Sequence, residues 1–101
     1  MSFIGHSHVA LSFHREEAAP ATGSTRREGD ELDISGGEWL INPGSTGQPR
    51  DGDPRAAWLL LDTERWTAHW RRAEYDIAGA QAAIRAANLP DSLAERLQYG
   101  Q

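Results

Sequence analysis

An α+β fold is predicted, with strands first and helices last. Two patterns carry that expectation. Up to Tyr75, short apolar segments have the two-residue period of strands and are separated by Gly-, Pro- and Asp-rich turns. From Asp76 the apolar residues Ile77, Ala80, Ala83, Ile84 and Ala87 fall at helical spacing instead.

Ser2 to Ile4 reads as the end of a strand that runs into Gly5-His6-Ser7-His8. Val9 to Phe13 alternates, with Val9, Leu11 and Phe13 on one side, as in a half-buried strand. Arg15 to Asp30 carries Glu16, Glu17, Arg26, Arg27, Glu28 and Asp30 among small residues with no apolar period. It is expected to be an exposed, mobile loop or hairpin tip, covering about residues 15–35. Glu38 to Ile41 is a further short strand. Asn42-Pro43-Gly44-Ser45 then turns the chain, because Pro43 fixes one φ and Gly44 permits a positive one. Gly47 to Pro54 continues as a polar loop.

Ala56 to Asp62 is the clearest strand, and its run Trp58-Leu59-Leu60-Leu61 suggests burial on both faces. A tight turn at Asp62-Thr63 leads to a strand from Trp66 to Tyr75, giving an antiparallel hairpin. Asp76 is a good N-cap, and Asn88 can close the helix that follows. Its narrow small-residue face is expected to pack on the sheet. Pro90 opens a second short helix with Leu93 and Leu97 on its apolar side, so the helices lie within about 76–99.

Composition narrows the function. The 101 residues suffice for one domain, read here as part of a single domain spanning 1–101. The net charge is -5 and every basic residue is Arg, so general binding to a phosphate backbone is disfavoured. There is no Cys, which removes thiolate metal sites and disulfides and fits a reducing cytoplasm. No apolar run approaches the ~20 residues that cross a bilayer, and no basic segment followed by a long apolar one marks a signal peptide.

The chemistry concentrates at His6 and His8. In an extended segment, residues i and i+2 share a face, so both imidazoles could converge on one ion. Gly5 would let the backbone turn beside them. Taken alone, such a four-residue string is more often an incidental or surface-exposed pair than a metal site. His14 reads as an exposed edge residue and His69 as a surface position of the hairpin. The four tryptophans read as core and edge packing, since no basic stripe interleaves them. In the loop after Asn42, Pro and Gly doing backbone work is one reading. Contact of Arg50 or Arg55 with a substrate phosphate is the other. Asp51 and Asp53 lack the ligand spacing and closing Glu of a calcium loop.

Gly5-His6-Ser7-His8, followed by Asn42-Pro43-Gly44-Ser45-Thr46-Gly47-Gln48-Pro49-Arg50-Asp51-Gly52-Asp53-Pro54-Arg55-Ala56, resembles the C-terminal part of calcineurin-like metallophosphoesterases, most nearly their small bacterial and archaeal phosphodiesterase branch. The resemblance covers essentially the whole chain. It implies the C-terminal half of a four-layer αββα sandwich, with a binuclear metal centre at the strand ends that hydrolyses a phosphodiester or phosphomonoester. By that resemblance His6 ligates one ion and His8 the other, and Ser7 between them is not a ligand. The cofactors implied are divalent metal ions, Mn first, with Fe, Ni, Zn or Mg as alternatives. The substrate implied is a phosphate-ester small molecule or nucleotide.

The family's other ligand motifs do not precede Gly5. These are an Asp-x-His, a Gly-Asp-x-x-Asp, a Gly-Asn-His-[Asp/Glu] and a further single His. Two histidines cannot hold two hard ions. The isolated chain is therefore expected to be inactive and to read as the tail of an enzyme. The alternatives are a non-enzymatic remnant and a complementing half that joins a separate N-terminal half or a second copy of itself.

Overall fold

The computed structural model describes residues 1–101. The strands are β1 (Ser2–Phe3), β2 (Leu11–Arg15), β3 (Thr22–Thr25), β4 (Glu31–Asp33), β5 (Glu38–Asn42), β6 (Ala56–Asp62) and β7 (Thr67–Ala73). The helices are α1 (Ile77–Ala86) and α2 (Asp91–Glu95), and a 3-10 turn at Arg96–Gln98 follows. The fold is α+β with mostly antiparallel strands and C-terminal helices.

Two sheets face each other. The first has the order β1-β5-β2-β3, the second β4-β7-β6. Only β1 and β5 are parallel, with Phe3 opposite Ile41. Alternation decides what points inward. Ser12 and Ile41 from the first sheet, and Ala68 and Trp70 from the second, are buried between the layers. Ile41, Ala68 and Trp70 form the core with Ala10 and Ile34, and Leu32, Trp39, Leu59 and Leu61 pack around it. The Trp70 indole N–H donates to the Asn42 carbonyl at 3.2 Å and ties one sheet to the other.

The segment expected to be an exposed loop or hairpin tip at about 15–35 holds the tip of the β2–β3 hairpin at residues 16–21, but it also contains the strands β3 and β4. Its strands lack an apolar period for physical reasons. β3 is an edge strand exposed on both faces, and β4 is three residues long with Leu32 alone turned inward. β4 crosses to the second sheet and pairs with β7, Leu32 opposite Ala68.

β6 is not buried on both faces. Its inner side carries Ala57, Leu59 and Leu61, but Trp58 and Leu60 on the outer side are 42% and 51% exposed. No helix covers them. α1 buries none of its residues, and it packs on α2 and the 3-10 turn rather than on a sheet. Polar contacts set that docking: the Gln81 amide donates to the Ala94 carbonyl at 3.0 Å, and Arg85 pairs with Asp91 at 2.6 Å. The alanine stripe of α1 offers too little area to compete for a sheet face. Asp76 does cap α1, accepting from the Gly79 N–H at 2.9 Å. No helix is long and apolar enough to cross a membrane.

Candidate metal centre

β1 ends where its chemistry begins. The Ile4 N–H still donates to the Ile41 carbonyl at 2.8 Å, and the chain then leaves the sheet at Gly5. The Ser7 N–H folds back to the Gly5 carbonyl at 2.9 Å. His6 and His8 are both left-handed, with φ of 71° and 59°. The histidine pair therefore does not share a face of an extended strand, as alternation suggested. Nor is Gly5 the residue with positive φ. The captured Gly5 carbonyl forces the reversal onto the two histidines, a costly conformation for residues with a Cβ.

Asn42 holds that turn. It is fully buried at the end of β5. Its amide nitrogen donates to the Gly5 carbonyl at 3.1 Å and to the Ser7 hydroxyl at 2.9 Å, while its amide oxygen accepts from the Gly44 N–H at 2.9 Å. One side chain thus joins the Gly-His-Ser-His turn to the Asn-Pro-Gly-Ser turn. Gly44 has φ 96°, and a Cβ there would lie 2.6 Å from the Ala57 methyl. A residue larger than glycine fails on both counts. The loop then closes over His8. The Arg50 N–H donates to the His8 carbonyl at 2.9 Å, and the His8 Nδ1 lies 2.8 Å from the Gln48 carbonyl oxygen.

That last contact fixes the chemistry of His8. A carbonyl can only accept, so Nδ1 carries the proton and Nε2 keeps its lone pair. Imidazoles that ligate metals are oriented in this way. His6 is exposed and makes no hydrogen bond through its ring.

The two imidazoles fit as donors to a divalent ion, but they do not complete a site. Nowhere in the chain do three or more His, Cys, Asp or Glu side chains gather in a way that could hold a metal. Gly29 to Asp33 reads Gly-Asp-x-x-Asp as a string, yet Asp30 accepts from the Arg27 N–H at 3.0 Å and Asp33 from the Ser35 hydroxyl at 2.6 Å. Both are turn caps. His14 and His69 stand elsewhere, and neither is the freely exposed residue expected. β2 and β7 are internal strands. His14 stacks on Trp39 with ring centroids 4.1 Å apart, and His69 lies 3.0 Å from the Thr67 hydroxyl.

The two candidate phosphate contacts differ. Arg55 is bound at both ends of its fork by Asp53, with Nε at 3.1 Å and Nη2 at 2.8 Å. That pair holds the Asp53 carboxyl below the ordinary carboxylate range and raises the Arg55 guanidinium further. Arg50 is exposed and reaches only the Gln48 side-chain oxygen, at 3.2 Å. Sequence reasoning missed Arg72. Its side chain is 4% exposed and pairs with Asp51, while Nη1 donates to the Arg55 carbonyl at 3.3 Å. The signal was available in alternation: Arg72 follows Ala68 and Trp70 on the inward face of β7.

A crystal structure of a metallophosphoesterase from Sphaerobacter thermophilus superimposes with a TM-score of 0.90 at 42% identity, over 98% of this chain and 42% of that one. Over nearly its whole length this chain thus shares the fold and much of the sequence of the corresponding part of a metallophosphoesterase. An uncharacterised protein of Methanocaldococcus jannaschii is 38% identical over 98 residues, which is 97% of this chain and 38% of that protein. No family model matches. The chain spans about two-fifths of the length of these relatives.

Proposed function

We propose that this chain is the histidine-bearing part of a metal-dependent phosphoesterase, and that it does not turn over substrate by itself. One observation carries the reading: His8, locked by the Gln48 carbonyl with Nε2 available, sits with His6 in a strained turn that Asn42 holds in place. A binuclear divalent centre, once bound, would supply the attacking hydroxide and charge neutralisation for the phosphoryl oxygens. His6 and His8 are proposed as ligands to different ions, with Mn first among the candidates. The remaining ligands must come from additional polypeptide, because the chain gathers no larger donor cluster.

Arg50 is the better placed of the two arginines to meet a substrate phosphate. Arg55, committed to Asp53, is assigned to hold the loop. The substrate is a phosphate-ester small molecule or nucleotide. The exposed Trp58, Leu60 and Phe13 favour an arrangement in which further polypeptide covers the outer faces of both sheets. A remnant without any activity has no comparable support, since a relic has no need to keep a strained histidine turn pinned.

Two assays test this. The chain alone, with Mn, should not hydrolyse a chromogenic phosphodiester. Turnover that His6→Ala and His8→Ala abolish would show that the chain needs nothing else. The chain grafted in place of the matching segment of the Sphaerobacter thermophilus protein should support hydrolysis of an ester that the unmodified neighbour cleaves. An active graft unaffected by His6→Ala and His8→Ala would refute the ligand assignment.

A further inference from the structure

Val9, next in sequence to the histidine turn, lines a polar cleft of about 670 Å³ whose wall includes Arg26, Arg27, Arg50, Arg55 and Arg72. The chain as a whole has a net charge of -5, so so many arginines in one cleft are conspicuous. Its pairing is uneven. Arg72 and Arg55 neutralise Asp51 and Asp53. The Glu28 carboxylate accepts from the Arg72 backbone N–H. Arg26, Arg27 and Arg50 take part in none of the chain's ion pairs. The cleft is therefore left with a surplus of positive charge.

Arg26 is also pre-positioned. Its Nε donates to the buried Ser12 hydroxyl at 2.9 Å, and its guanidinium carbon stands 5.6 Å from the centre of the Trp70 ring. One edge and one face of the fork are fixed, and the two terminal nitrogens have no partner. A planar fork held this way suits a phosphate better than a mobile lysine would. The Arg50 N–H on the His8 carbonyl sets the neighbouring wall.

We infer that this cleft is a second anion subsite, which takes the phosphate chain of a polyphosphorylated ester beyond the phosphate that reacts. Its place beside a reacting phosphate rests on the metallophosphoesterase reading above. The binding itself needs no metal.

The test uses the 101-residue chain in chelator, titrated with inorganic pyrophosphate and with orthophosphate by calorimetry. Saturable one-to-one binding of pyrophosphate is expected, at least tenfold tighter than orthophosphate. Arg26→Gln and Arg50→Gln should each weaken it tenfold or more, and His6→Ala should leave it unchanged. Should Arg26→Gln not fold, the exposed Arg50→Gln decides alone. Absence of saturable binding, equal affinity for the two anions, indifference to the arginine substitutions, or loss in His6→Ala would each overturn the proposal. Because no metal is present, these failures are separate from a failure of His6 and His8 to bind an ion.

Discussion

Removing the Asn42 side chain should release the histidine turn. Asn42→Ala deletes three hydrogen bonds from a fully buried residue, to Gly5, Ser7 and Gly44. At roughly 1 kcal/mol net for each, the sum is about 3 kcal/mol. The exposed Ser7 hydroxyl can turn to water, and the Gly5 carbonyl keeps the Ser7 N–H, which lowers the cost to about 2 kcal/mol. For a domain of this size that corresponds to a fall in Tm of roughly 8–16 °C. The assay pairs thermal unfolding with amide NMR below the transition. The His6 and His8 backbone couplings should shift away from their left-handed values, since Asn42 supplies the side-chain contacts that hold Gly5 and Ser7 on either side of His6. Ser7→Ala, which removes one exposed partner, should cost under about 1 kcal/mol and report on the folded protein even where Asn42→Ala unfolds. A Tm within 2 °C of the parent, with unchanged His6 and His8 couplings, would refute the claim that Asn42 holds the turn.

Three further outcomes follow from the same contacts. Asp53 has a folded carboxyl pKa depressed chiefly by the Arg55 hydrogen bond, so its stabilisation is present at neutral pH and lost as pH falls through and below the ordinary carboxylate range. Acid titration followed by circular dichroism should show a shallower loss in Asp53→Asn, and an unchanged slope would contradict the pairing. Gly44→Ala meets both a positive φ and the Ala57 methyl, and should lower stability by at least about 1–3 kcal/mol in urea unfolding. Trp58→Ser with Leu60→Ser should change monomer stability little, within roughly 1 kcal/mol, because both side chains face outward, yet should reduce concentration-dependent association in sedimentation equilibrium.

The strands and helices that pack by simple periodicity were legible in the sequence. Trp70 and Ala68 alternate inward as the pattern said, and Asp76 caps its helix. The position of His6 and His8 at the end of the first strand was legible too, from Phe3-Ile4 ahead of Gly5. What was not legible depends on partners distant in sequence. β3 carries no apolar period because both its faces meet solvent. The reversal at the histidines follows from Asn42, 35 residues beyond Ser7. Which arginine is free and which is bound turns on Asp53 and Asp51 reaching Arg55 and Arg72 across a folded loop. The apolar run in β6 suggested two buried faces, but only the side carrying Ala57, Leu59 and Leu61 is covered, and Trp58 and Leu60 are exposed.

The claim that His6 and His8 are metal donors is tested most directly by paramagnetic broadening. Mn is added in small amounts to isotope-labelled chain, and the loss of histidine ring and amide signals is mapped. The account predicts that His6 and His8 broaden first, at sub-stoichiometric Mn, while His14 and His69 stay sharp. Broadening centred on Asp51, Asp53 and Glu28, or spread evenly over all four histidines, would contradict it.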